Sequence, residues 1–152
     1  MTPDIEIDTE DRRGWMGLLA RSDEADLLHL WQSFGQAPGF TWLRAPEIGG
    51  VMVRGRMGGT GAPFNLGEMT VTRCSLRLQG GQVGHAYVQG RSKTKAEAAA
   101  LIDALMQTEL AAAVQRAVLV PLEEKQTENR VTRAGKAAAT KVEFFTMARG
   151  ED

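Results

Sequence analysis

With 152 residues, 43% of them hydrophobic and 24% charged, the chain is long enough for one domain with a modest core and too short for two. Its formal net charge of −1 excludes a chain-wide basic bias toward nucleic acid, though not a local patch. A single cysteine, Cys74, excludes an internal disulfide and a cysteine-based zinc site, and suits a reducing, cytoplasmic setting.

Residues 1–8 read as a loose arm. The start, Thr2-Pro3-Asp4-Ile5-Glu6, is acidic and lacks an apolar run, so no signal peptide is expected. No stretch reaches the ~20 apolar residues of a membrane span. A short helix is predicted over 8–20, with Trp15, Leu18 and Leu19 on one face. Ser22 reads as the N-cap of a second helix, with Asp23 and Glu24 in its first turn. Leu27, Leu28, Leu30, Trp31 and Phe34 supply its apolar stripe, and Gly35 is its stop. His29 lies in the apolar region of that helix and reads as a packing residue.

The period then changes from helical to alternating. Residues 40–45 form a candidate strand, and 51–57 a second, with Val51, Val53 and Met57 on one face and Met52, Arg54 and Arg56 on the other. Residues 69–78 alternate again: Cys74, Leu76 and Leu78 share one face, Arg73 and Arg77 the opposite one. Gln79-Gly80-Gly81-Gln82 signals a hairpin, and 83–89 is its return strand. The pattern predicts an antiparallel meander of about four strands. The 17 glycines are about 11% of the chain against roughly 7% in ordinary proteins. Most fall between Gly35 and Gly90, so this region is expected to be rich in turns.

Helical spacing returns at Thr94, which with Glu97 fits a capping box. Ala98, Leu101, Ile102, Leu105 and Met106 form one stripe. An unbroken helix would carry Glu109 onto that stripe, so a break is predicted near Thr108. Val118-Leu119-Val120-Pro121 reads as extended, because the residue before proline avoids the α region. A polar helix over 122–140 has so thin an apolar stripe that it calls for a partner. The short aromatic segment 142–147 reads as an extended tail that docks on its own sheet or on another subunit. The fold class is therefore α+β: a meander flanked by N-terminal and C-terminal helices, in a single domain over 1–152, with 122–140 and 141–150 facing partners.

Two constellations could bind an anion. The first is Arg56-Met57-Gly58-Gly59-Thr60-Gly61. Its glycines permit φ > 0, and successive amides in such a loop can form a nest beside the Arg56 charge. The simpler reading is a glycine-rich connection between strands. The run is neither a P-loop nor a dinucleotide fingerprint, since no Gly-Lys-Ser/Thr ending and no following helix accompany it. The second is Arg54, Arg56, Arg73 and Arg77, which point away from the core face. On neighbouring strands they would make a basic sheet face able to clamp phosphate or carboxylate, or simply a solvated, ion-paired one. His85 shares a strand with Tyr87 and could act as a general acid or base. Neither histidine has a carboxylate at ligand spacing, so no metal is expected on this chain. Cys74 faces the presumed core and should be inert. No complete catalytic set is present.

Several segments together resemble the PhnG family, the small subunits of bacterial carbon–phosphorus lyase. They are the run 56–61, Thr70-Val71-Thr72-Arg73 leading into Leu76-Arg77-Leu78, Gly90-Arg91, Leu101-Ile102-Asp103-Ala104-Leu105-Met106-Gln107, and the ending Phe144-Phe145-Thr146-Met147-Ala148-Arg149-Gly150. The likeness runs from Trp15-Met16 to Gly150, and over about 108–141 it lies mainly in layout. The resemblance implies an accessory subunit of a phosphonate-catabolising complex with PhnH, PhnI and PhnJ. With PhnH, PhnI and PhnL it would take part in displacing adenine from ATP by an alkylphosphonate, giving a ribose phosphonate triphosphate. The family assigns the nucleosidase-type chemistry to PhnI and the radical C–P cleavage, with its iron–sulfur cluster, to PhnJ. By that resemblance this chain binds no cofactor itself, and ATP is a substrate of the complex. The family supplies no catalytic residue to carry over. The anion- or nucleotide-binding candidates are Arg56, Gly58, Gly59, Thr60, Gly61, Arg73, Arg77 and His85. Two alternatives stay open: a scaffold subunit without nucleotide contact, and a free-standing anion-binding module.

Overall fold

Asp8 opens the first helix by accepting the Glu10 N–H on its carboxylate at 3.0 Å, with Glu10 and Asp11 complementing the helix dipole. In the computed structural model, which describes residues 8–56 and 63–149, this helix, α1, spans Thr9–Arg21. Helix α2 spans Glu24–Phe34 and is capped by Asp23, whose carboxylate accepts the Asp26 N–H at 3.2 Å. Ser22 is not that cap. Its buried hydroxyl donates to the Leu19 carbonyl at 2.7 Å and so closes α1 instead. Gly35 ends α2 with φ 75°, a left-handed value that costs glycine nothing. Leu27 is fully buried, with Leu30, Trp31 and Phe34 packed around it. His29, read above as a packing residue, is exposed, because two residues along a helix turn it well away from Leu27.

The sheet has three antiparallel strands in the order β1-β2-β3. The segments 40–45 and 51–57 belong to one long strand, β1 (Phe40–Arg56), which pairs along β2 (Pro63–Leu78). The residues between them stay in the ladder because β-bulges absorb their irregularity. The predicted hairpin turns over 79–82, with Gly81 at φ 98°, into β3 (Val83–Gln89). β3 pairs only with 71–77 of β2. Beyond it, residues 50–56 and 63–70 continue as a two-stranded ribbon, roughly 24 Å long at about 3.4 Å per residue. Of the ribbon residues 50–53 and 67–70, none joins the hydrophobic core cluster. Two strands alone are marginal in water, and these residues take no packing from that cluster.

Helix α3 (Lys93–Leu105) is the centre of the core. Its N-cap is Ser92, which accepts the Lys95 N–H at 3.0 Å, two residues before the capping box expected at Thr94. It packs on β2 and β3, while α1 and α2 cover its remaining sides. All of 95–106 except the half-buried Glu97 is therefore buried, not only the predicted stripe, and the small alanines allow that close approach on every side. Lys95 is buried too. Its ammonium donates to the carbonyls of Ala20 (3.2 Å) and Gln89 (3.3 Å), tying the end of α1 to the end of β3. Burial lowers its pKa, with Glu24 and then Asp23 opposing the shift.

The break near Thr108 occurs as predicted. The Thr108 hydroxyl donates to Leu105 O at 2.6 Å and accepts the Leu110 N–H at 3.1 Å, and Glu109 is left exposed. After it, α4 (Ala111–Val114) leads through a π-helical turn (Gln115–Leu119) into α5 (Val120–Arg149). The segment 118–121 is thus helical, not extended. Pro121 stands in the first turn of α5, where a missing N–H is tolerated, and the wider π turn precedes it. Val114, Val118, Leu119 and Leu122 complete the core. From Glu123 to Lys136 almost every residue of α5 is exposed, Gln126 being held by its bond to Leu18 O at 2.7 Å. The backbone of 142–147, expected to be extended, continues α5, since no proline or glycine interrupts it there. At about 1.5 Å per residue the whole helix is roughly 45 Å long, and most of it lies past the core. No helix among the described residues is long and apolar enough to cross a membrane.

Cys74 is 3% exposed, and its thiol donates to Ala96 O at 3.4 Å. Burial, aided by Glu97, pushes its pKa up from 9.0 to about 12. The thiol should therefore resist an aromatic disulfide reagent in the native protein at mildly alkaline pH and react fully once the chain is denatured, a difference read directly by absorbance. A raised pKa favours the protonated folded state. This contribution to stability is complete below about pH 9 and is lost as pH climbs toward 12.

Candidate functional site

The sheet has one face on α3 and one face outward. Pairing assigns the outward residues directly, because paired residues point to the same side. Three successive rows are Thr41, Arg77 and Val83; then Arg44, Ser75 and His85; then Glu47, Arg73 and Tyr87. Ser75 is the centre. Arg44 and His85 stand directly opposite it on the two neighbouring strands, about 5 Å away between Cβ atoms, and Arg73 and Arg77 lie about 7 Å away along β2. Arg44, Arg73, Arg77, His85 and Tyr87 are all exposed.

Among the described residues, Glu47 is the one carboxylate within ion-pair distance of these cations. It meets Arg73 at 3.7 Å, with both side chains more than half exposed. Such a pair contributes about 0–1 kcal/mol and holds neither partner firmly. Arg44 and Arg77 have no ion pair among the described residues. The face is therefore basic, with Tyr87 (47% exposed) and, at the bulge beside Arg44, Leu43 (48% exposed) as apolar neighbours.

The predicted four-arginine face does not form as written. β1 and β2 are neighbours, but their register places Arg54 opposite Asn65 and Arg56 opposite Pro63. Arg73 lies ten residues farther along β2 than Pro63, roughly 34 Å of extended chain. Arg73, Arg77 and His85 do come together, and Arg44 joins them in place of Arg54 and Arg56. Simple alternation from Trp42 would have put Arg44 on the core side. The extra residue at Leu43 turns it outward, and nothing in the sequence marks that bulge. Of the glycine run, Gly58, Gly59, Thr60 and Gly61 lie outside the described residues. Arg56 is the last described residue of β1, at the far end of the ribbon.

A second polar cluster is structural. Asp103 on α3 is fully buried. Its carboxylate accepts Arg12 Nη2 at 2.8 Å, Arg12 Nε at 3.2 Å, Trp15 Nε1 at 2.8 Å and the His85 backbone N–H at 2.9 Å. Arg12 also reaches the Val83 carbonyl, as does Gln107 Nε2 at 2.7 Å. Asp103 thus locks α1 and the outer edge of β3 onto α3, and it holds the strand that presents His85 and Tyr87. Thr72 does a similar service: its buried hydroxyl donates to Gly90 O at 2.8 Å, fixing β2 to the turn that enters α3. In the sequence both residues stand within longer motifs, and nothing there sets Thr72 apart. A lone aspartate in an otherwise apolar helical run was the available signal for Asp103.

The family model for the phosphonate metabolism protein PhnG matches residues 10–150. A relative from Rhizobium meliloti (strain 1021), named alpha-D-ribose 1-methylphosphonate 5-triphosphate synthase subunit PhnG, is 45% identical over 146 residues, covering 93% of this chain and 90% of the relative. Asp103, Thr72, Gly90 and the outward Arg73 and Arg77 all fall inside the matched span. The chain belongs to the PhnG family.

Proposed function

We propose that this chain is an accessory subunit of a cytoplasmic phosphonate-catabolising assembly. In it, the ribose triphosphate of ATP is transferred to an alkylphosphonate with release of adenine. Companions of PhnH, PhnI, PhnJ and PhnL type would supply the rest of the machinery, including the catalytic groups. The family membership supports the reaction. The observation that carries the subunit reading is the pair of elements that run on past the core cluster, the ribbon of 50–56 with 63–70 and the exposed stretch 123–136 of α5. Each is marginal in isolation, and each gains its missing burial from another surface.

The described part of the ribbon ends at Arg56, which the glycine run 57–61 follows in sequence. In this reading that end meets the triphosphate inside a site shared with a companion, through backbone amides and the Arg56 guanidinium. The test is reconstitution. The purified chain should release no adenine from ATP and methylphosphonate, and the companions should restore release. Arg56→Ala in the assembled complex should lower turnover by about 10–100-fold, the scale expected when one charged contact to a reacting polyanion is lost. Adenine release by the lone chain would refute the accessory role. Full turnover by the Arg56→Ala assembly would refute the contact at the ribbon end.

A further inference from the structure

The outward sheet face is a second surface, distinct from the ribbon end, and its shape decides what it can hold. Small molecules are bound in concave sites that bury most of their area. Arg44, Arg73, Arg77 and His85 stand instead as exposed residues of the outward pleated face around Ser75, and the cavity that His85 and Tyr87 border, against Arg12 and Met16 of α1, is lined by none of the three arginines. A polyphosphate laid there would stay in solvent. The composition matches a protein contact: arginine and tyrosine are the residues enriched at the centres of such surfaces. Here three arginines surround the centre, with Tyr87 and Leu43 as apolar neighbours.

We infer that this face docks on a carboxylate-rich surface of a companion subunit in the assembly proposed above. The charge selects the occupant. Among the described residues, three guanidinium groups face a single exposed carboxylate, Glu47, whose contact with Arg73 is long at 3.7 Å. A partner carboxylate can displace it and pair bidentately. A second copy of this chain would bring the same arginines against these, which like-charge repulsion opposes. Asp103 prepares the face by fixing β3 from behind through the His85 N–H, so docking needs no reordering of the strand.

The inference rests on the subunit reading, and one experiment separates the two. The full-length chain, unaltered or as Arg73→Glu/Arg77→Glu, is co-expressed with the companions, and the recovered complex is measured by affinity co-purification and size exclusion. Both altered side chains are exposed, and circular dichroism checks that the fold is kept. The unaltered chain should co-purify, less so as salt rises. Charge reversal should reduce recovery by about tenfold or more, and Arg73→Lys/Arg77→Lys, which keeps the charge but not the two-pronged geometry, should fall between the two. Equal recovery of the charge-reversed and unaltered chains would overturn this inference alone. So would intact assembly with lost adenine release, because the face would then meet substrate. Failure of the unaltered chain to co-purify would overturn the subunit reading, and this inference with it.

Discussion

Asp103→Ala should destabilise the fold by about 3–5 kcal/mol, the usual cost of removing one partner from a buried ion pair. The carboxylate is fully buried and accepts four hydrogen bonds, from Arg12 twice, Trp15 and the His85 backbone. Its removal leaves the Trp15 indole and the His85 N–H without acceptors, and frees the Arg12 guanidinium from its carboxylate. Arg12 is about one-third exposed and can turn to water, but the two N–H groups behind it cannot do so without moving α1. Asp103→Asn should not rescue. It keeps the volume but lacks the charge that Arg12 needs, and one of its two ends presents N–H groups to other N–H groups. Against a total stability of about 5–15 kcal/mol for a domain, the alanine change is severe. Urea unfolding followed by tryptophan fluorescence measures it, and a loss below about 1 kcal/mol would show that solvent replaces the carboxylate.

Gly84→Ala should cost about 1–3 kcal/mol, and Gly84→Val more, by overpacking. Gly84 faces α3 from β3, and a Cβ there would fall on the Ala100 carbonyl oxygen and lie 2.9 Å from the Ala104 Cβ. The first obstacle is helix backbone, which cannot rotate aside as a flexible side chain would. The strand must move off α3, and it carries His85 and Tyr87 with it. Thermal unfolding should shift accordingly. A further readout is the complex: if the outward face docks as inferred, recovery with companions should fall beyond what stability alone explains. An unshifted midpoint for Gly84→Ala would mean that β3 and α3 separate without cost, contrary to their close packing.

Much of the local structure could be read from the residues, since it rests on local chemistry. The helix starts, the Gly35 stop, the turn at 79–82, the return strand 83–89 and the break near Thr108 each depend on a few neighbouring side chains. The caps stand one or two positions from the expected Ser22 and Thr94, at Asp23 and Ser92. In each case a second hydroxyl or carboxylate stands nearby: Ser22 turns back to the Leu19 carbonyl, and Ser92 also donates to Glu24 of α2. The helical run through 115–121 escaped because a π turn accommodates Pro121 in a way that dipeptide preferences do not foresee.

The candidate surface divides along the same line. That Arg73 and Arg77 point away from Cys74, Leu76 and Leu78 follows from alternation within one strand, so the sequence alone determines it. Which arginine joins them depends on register across strands. A one-residue slip turns a side chain to the other face, and the bulge at Leu43 makes such a slip for Arg44. The same pairing carries Arg56 away to the end of the ribbon. Family and class of fold were thus determined by the sequence by itself. The tertiary structure alone decided that Arg44 joins the basic patch and that Arg54 and Arg56 do not, because strand register is a non-local property that no single segment encodes.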